Sequence, residues 1–100
     1  MSKRVTDDEL LKLVHLVKAR VATLPVITAN ERASIDAHHG AASALVNELV
    51  AERGARLSTP AGGYRLAVAG VAASCTSGHS GLLTNWINAA YRALDRRRAA

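Results

Sequence analysis

The side chains best suited to chemistry cluster in one short segment, from Ser74 to Gly81. The segment reads SCTSGHSG, and it combines the single cysteine of the chain, Cys75, with His79 and several hydroxyl groups. Backbone amides and hydroxyls at the start of a helix bind anions well. Hydroxyl side chains at that position also serve as helix caps, and capping is the interpretation we favour here.

Two catalytic interpretations of this segment fail on their spacing. A phosphatase-type loop needs an arginine six residues after its cysteine, but Gly81 stands there. The sequence Gly78–Gly81 is similar to the nucleophile elbow of esterases, but Leu82 replaces the second glycine of that motif. A chain of 100 residues is also too short for the sheet that carries such an elbow. We therefore predict that the protein is not an enzyme.

The candidate metal ligands do not form a recognisable zinc site. They are Cys75, His15, His38, His39 and His79. Zinc sites have paired, closely spaced ligands, and this chain has one cysteine with no second pair of that kind. Adjacent residues such as His38 and His39 point about 100° apart on a helix. We predict no metal and no cofactor, with His38 near the core, His39 in solvent and Cys75 acting as a small apolar residue.

The charge balance points to an acidic partner. The net charge is +5 and the pI is about 10.2, which suggests nucleic acid first. Part of the excess lies at the two ends, in Lys3-Arg4 and in residues 96–98. Terminal charges also improve solubility and complement a helix end, so both interpretations stay open.

Length and composition bound the architecture. One hundred residues predict a single domain, residues 1–100. Apolar residues make up 49% of the chain, but Trp86, Tyr64 and Tyr91 are the only aromatic ones. Such a thin core makes a homodimer a natural expectation. The absence of a long apolar run, of a signal sequence and of a second cysteine predicts a cytoplasmic protein without membrane contact.

Two amphipathic helices are predicted in the first half. The first begins at a capping box, Thr6–Glu9, and ends before Pro25. Its apolar stripe is Leu10, Leu13, Val14, Val17, Val21 and Leu24. The second helix begins at another capping box, Thr28–Glu31, and ends at Arg53-Gly54. The short link between them predicts antiparallel neighbours.

Gly40 leaves two alternatives for the second helix. Either the helix is continuous from residue 29 to residue 53, or Gly40 turns the chain between two short helices. We favour the continuous helix, and in either alternative Val46, Leu49 and Val50 are predicted to be buried.

A hairpin and a last helix complete the pattern. Pro60–Gly63 is a turn signal between two alternating runs, Arg56–Thr59 and Tyr64–Ala69. The final helix has the apolar stripe Leu83, Trp86, Ile87, Ala90 and Leu94. The predicted fold class is therefore mainly α with a small β-hairpin (α+β), an antiparallel helical hairpin closed by a C-terminal helix.

Residues 28–70 resemble the winged-helix DNA-binding domains, in which a recognition helix runs directly into a two-stranded wing. The matching segments are Leu49–Gly54, Pro60–Leu66 and Gly70. If Gly40 is the helix-turn-helix turn, the resemblance implies a set of residues that face DNA. They are Ser43, Asn47, Arg53, Arg56 and Arg65.

Two functions follow as expectations. The first is a small basic DNA-binding regulatory protein of winged-helix type. The alternative is a non-enzymatic accessory protein, such as those encoded by phages and other mobile elements, that binds another protein. A hairpin without any nucleic-acid role fits the alternative. An unbroken second helix would remove the helix-turn-helix and favour protein binding.

Overall fold

The described part of the chain folds into three helices and a small antiparallel sheet. The computed structural model describes residues 6–24, 32–59, 62–76 and 78–99. The elements in chain order are α1 (Asp7–Ala22), α2 (Arg32–Arg53), β1 (Arg56–Ser58), β2 (Tyr64–Val68), β3 (Val71–Cys75) and α3 (His79–Ala99). The predicted α+β class is confirmed, and the sheet has one strand more than the predicted hairpin.

Helix α1 begins where its cap predicts. The Thr6 hydroxyl accepts a hydrogen bond from the Glu9 amide at 3.2 Å, which satisfies one of the free amides of the first turn. Leu10, Val14 and Val17 are buried, and the other members of the predicted stripe are partly buried against them. Pro25 and the second capping box at Thr28–Glu31 lie outside the described residues.

Helix α2 is continuous, and Gly40 lies inside it. The turn that a helix-turn-helix needs is therefore not formed at this position. Val46 and Leu49 are buried as predicted, but Val50 is 40% exposed, so its predicted burial is wrong. Val50 lies at the border of the buried stripe, one residue beyond Leu49, where the 100° step carries it away from the core. The helix ends at Arg53, and the next residue, Gly54, has a φ of +66°, the left-handed conformation predicted there.

The sheet is an antiparallel meander in the order β1-β2-β3. Strands β1 and β2 form the predicted hairpin, with Leu57 opposite Leu66. Pro60 and Ala61, in the predicted turn between them, lie outside the described residues. Strands β2 and β3 are joined by Ala69 and Gly70, with φ of 55° and 78°. Two successive residues with positive φ are typical of the tight turn that suits a two-residue hairpin.

Helix α3 is the element on which the others assemble. It packs against α1, α2, β2 and β3. Trp86 lies at the centre of the core with no exposed surface, and its indole N–H donates to the Val71 carbonyl at 3.2 Å. All five residues of the apolar stripe predicted for α3, from Leu83 to Leu94, are buried.

Ion pairs hold α1 to both other helices. The Arg20 guanidinium makes two hydrogen bonds to the Glu48 carboxylate, at 2.7 and 2.8 Å, and this bond lowers the pKa of Glu48 and raises that of Arg20. Helices α1 and α2 otherwise make most of their contacts with α3 rather than with each other. Arg97 donates to Asp7 at 2.9 Å, so one of the terminal arginines serves the fold. None of the described helices has an apolar stretch long enough to cross a membrane.

The continuity of α2 makes a prediction about Gly40. A β-carbon added at Gly40 meets no atom within 4 Å, so Gly40→Ala should stabilise the protein by about 0.5–1 kcal/mol, because alanine loses less backbone entropy in a helix. Urea denaturation measures the shift in midpoint. Gly54→Ala is the matched control, since its positive φ makes the same change destabilising by about 1–2 kcal/mol. Destabilisation by Gly40→Ala would contradict the continuous helix.

Burial of Trp86 makes a second prediction. Trp86→Ala should lower the free energy of unfolding by roughly 3–5 kcal/mol, because it leaves a cavity at the centre of the core. Trp86→Phe should lower the free energy of unfolding by less, because it keeps an aromatic ring in the core. Some loss should remain, because the donor to the Val71 carbonyl is removed. Both are measured by chemical denaturation, and the native protein should show blue-shifted tryptophan emission protected from quenchers. An unchanged unfolding midpoint in Trp86→Ala would place this side chain outside the core.

Candidate nucleic-acid interface

The sheet has one apolar face and one solvent face. Leu57, Leu66, Val68 and Val71 point toward the helices and are buried or partly buried. Because side chains alternate along a strand, the residues between them point outward. The outward set is Arg56, Ser58, Arg65, Ala67, Ala72 and Ser74. We call this set the outer sheet face.

The outer sheet face is positively charged and has no acidic member. Arg56 and Arg65 are exposed, and neither forms an ion pair with any acidic group of the described residues. Arg56 lies opposite Ala67, two residues beyond Arg65, so the two arginines are diagonal neighbours, roughly 7–8 Å apart at their α-carbons. Like charges on neighbouring strands repel each other. An anion bound between them would relieve that repulsion.

The end of α2 carries a third arginine close to this face in sequence. Arg53 is the last residue of the helix, and Gly54 reverses the chain so that Ala55 donates its amide to the Leu49 carbonyl at 3.2 Å. Strand β1 then begins at Arg56. The left-handed glycine thus sets the direction in which the chain leaves the helix and enters the arginine-bearing sheet.

The residues implied by the winged-helix resemblance separate into two groups. Arg56 and Arg65 share the outer sheet face. Ser43 and Asn47 lie one turn apart on α2, half-buried and exposed respectively. Ser43 precedes Arg53 by ten residues, about 15 Å along the helix axis. A role in DNA binding for any of the five stays a prediction.

A polar groove runs between β3 and α3 beside the outer sheet face. Its volume is about 350 Å³, and it is lined by Ala72, Ala73, Ser74, Asn85, Asn88, Ala89 and Arg92. The Asn85 side-chain amide donates to the Ser74 carbonyl at 2.9 Å, which occupies an outer hydrogen-bonding group of the edge strand. Ser74 also lies directly opposite Arg65 in the sheet. The groove therefore continues the arginine-bearing surface.

The sequence pattern does not predict the groove, because it does not predict β3. The signal was present but weak: Val68 and Val71 flank a two-residue turn whose second residue is Gly70. Alanine is unfavourable at positive φ, so the pair Ala69-Gly70 does not predict a hairpin turn. The pair Asn-Gly at the same position would predict one. The sequence does show that polar residues recur at helical spacing at Asn85, Asn88 and Arg92. Nothing in the sequence predicts a strand beside them.

The histidine- and hydroxyl-rich segment forms a junction between α2, β2 and α3. His38 Nε2 lies 2.9 Å from the Ser80 hydroxyl, and the rings of Tyr64 and His79 lie 4.7 Å apart. Cys75 is partly buried against the core. These contacts fix the start of α3 against the sheet and α2. Among the described residues, no three histidine, cysteine or acidic side chains group as metal ligands.

The comparisons with known proteins do not add to this geometry. No family model matches the chain, and no match was found among curated proteins or solved structures.

Proposed function

We propose that this protein is a small DNA-binding regulatory protein that contacts the DNA backbone through the outer sheet face. The observation that carries the proposal is the pair of exposed guanidinium groups on Arg56 and Arg65, which form no ion pair with the described residues and lie on a face without acidic side chains. Arginine binds phosphate oxygens with a planar, two-pronged donor set. The net charge of +5 adds long-range attraction to a polyanion.

The character of this face favours duplex DNA over a single strand. Proteins that bind single strands stack bases on exposed aromatic rings. The outer sheet face has alanine and serine around its arginines, while Tyr64 lies on the opposite, core-facing side of β2. A face of arginines and small residues suits phosphate contacts to a duplex, because it presents charge without a stacking platform.

The wing-like hairpin and the continuous α2 fit this proposal differently. Strands β1 and β2 supply the arginines in the way a wing supplies backbone contacts. Helix α2 has no turn at Gly40, which removes the helix-turn-helix and, taken alone, favours protein binding. The DNA proposal therefore rests on the two arginines of the sheet and not on a helix-turn-helix. A winged-helix relationship stays a hypothesis based on the hairpin residues.

Salt dependence tests the proposal directly. Arg56→Ala and Arg65→Ala should each weaken binding to all duplex sequences about equally and lower the magnitude of the salt slope by about one, because each removes one phosphate contact. Gel-shift or anisotropy titrations at several salt concentrations measure both quantities.

Arg32→Ala provides the matched control. It removes the same charge, but at the opposite end of α2, about 30 Å along the helix from Arg53. Within the described ranges, the one ion pair of Arg32 is a 3.9 Å pair with Asp36. Its salt slope should match that of the native protein. No binding at low salt, or an equal effect from all three substitutions, would refute a localised contact on the sheet.

A second function is favoured by the outward face of α2. Small residues recur there at helical spacing on an exposed face: Ala33, Ala37, Gly40, Ala44 and Ala51. Side chains this small let a second helix approach closely. A twofold pairing uses the same patch on both partners, so the candidate function is self-association through α2, with a second copy of this chain as the partner.

Oligomeric state tests this second candidate. Ala44→Gln places a bulky neutral side chain in the middle of the small-residue face and should convert a dimer to a monomer in light scattering or sedimentation. Ala19→Gln makes the same change at an exposed position of α1 and should leave the dimer intact. A native protein that is monomeric at high concentration would exclude self-association.

A further inference from the structure

The exposed faces of α2 and α3 differ in their ability to read DNA bases. Reading a base edge needs side-chain donors and acceptors, typically from arginine, lysine, asparagine or glutamine. The exposed residues in the middle of α2 are mostly alanine and glycine, with Asp36, His39 and Asn47 as the polar ones, while Arg32, Glu52 and Arg53 lie at its ends. Positions with no polar atom beyond the backbone contribute nothing to hydrogen-bonded recognition. An element with a denser row of amide and guanidinium groups is therefore a better candidate for sequence recognition.

The outward face of α3 has the required chemistry. Asn85, Asn88 and Arg92 are exposed and recur at steps of three and four residues, which places them on one side of the helix. The opposite side of the same helix holds the buried residues Trp86 and Ala90. Burial of the apolar side of α3 therefore keeps the polar side facing solvent, and this orientation does not require bound DNA.

The side chains of this stripe are held to different degrees. The Asn85 amide is engaged with the Ser74 carbonyl at 2.9 Å, so its orientation is fixed by the edge strand. Asn88 and Arg92 line the same groove but have no hydrogen-bond or ion-pair partner among the described residues. Their polar groups are free to bind a ligand without breaking an existing contact.

The polar stripe of α3 also lies beside the outer sheet face. Arg65 lies opposite Ser74 on the neighbouring strand, and Ser74 lines the groove together with Asn88 and Arg92. A duplex whose backbone contacts the outer sheet face is therefore adjacent to the polar side of α3. The major groove of DNA is about 12 Å wide and admits an α-helix.

Building on the proposed function, we propose that α3 is the base-reading helix, with Asn88 and Arg92 as its specificity-determining residues. Asparagine pairs with adenine through two hydrogen bonds, and arginine pairs with guanine in the same manner. The ligand is thus duplex DNA whose preferred site contains adenine and guanine within reach of adjacent turns of α3. Arg56 and Arg65 supply affinity, and α3 supplies the choice of sequence.

The test separates sequence preference from affinity. Preferred duplexes are selected from a random library with the full chain, and the dissociation constants for a selected and a scrambled duplex are then measured. Asn88→Ala should reduce the ratio of the two constants by roughly fivefold or more, with an unchanged salt slope, because no charge is lost. Arg56→Ala should weaken both complexes and leave the ratio unchanged. Thermal unfolding should be unaffected by Asn88→Ala, since this side chain is exposed and makes no hydrogen bond to another described residue.

Asn47→Ala is the decisive comparison, because it removes the amide on the competing helix. Loss of preference in Asn47→Ala but not in Asn88→Ala would assign base reading to α2 and overturn the inference. An unchanged ratio in Asn88→Ala, or a native protein that selects no sequence, would also overturn it. Salt-dependent binding through Arg56 and Arg65 would still support the proposed function in those cases. Absence of any binding at low salt would refute both.

Discussion

Burial of Trp86 is the constraint on which the other features depend. Its indole ring is the largest side chain in a core otherwise built from leucine, isoleucine, valine and alanine, and its N–H bond to Val71 couples α3 to the edge strand. A buried indole needs such a partner, because an unpaired donor in the core is costly. This contact fixes the rotation of α3, and the rotation decides that Asn88 and Arg92 face solvent.

The sheet brings Arg56 and Arg65 together on one face and so concentrates positive charge there. In the sequence, Arg56 and Arg65 are two arginines among many basic residues. In the fold they occupy neighbouring strands on one face, while Arg20 and Arg97 are engaged in ion pairs with Glu48 and Asp7. Basic residues thus divide into those that hold helices together and those that remain available to an anion. The net charge by itself does not make that distinction.

The continuity of α2 through Gly40 excludes a helix-turn-helix centred on that residue. The resemblance to winged-helix domains predicted a turn there, and the helix runs through it. An interior glycine weakens a helix by only about 1 kcal/mol, which packing of Leu45, Val46 and Leu49 readily offsets. The hairpin part of the resemblance remains, and it is joined by a strand and a helix face that the resemblance did not include.

The sequence by itself determined the buried stripes of the helices apart from Val50, the cap at Thr6 and the hairpin up to Val68, because these depend on periodicity and on local hydrogen bonds. It favoured a continuous second helix but left a turn at Gly40 open. It also determined that Trp86 belongs to the core. Only the tertiary structure decided that β3 pairs with β2, that Ser74 faces Arg65, and that the groove forms beside Asn88 and Arg92. These pairings join residues distant along the chain, and their geometry follows from how α3 packs on the sheet rather than from any local pattern.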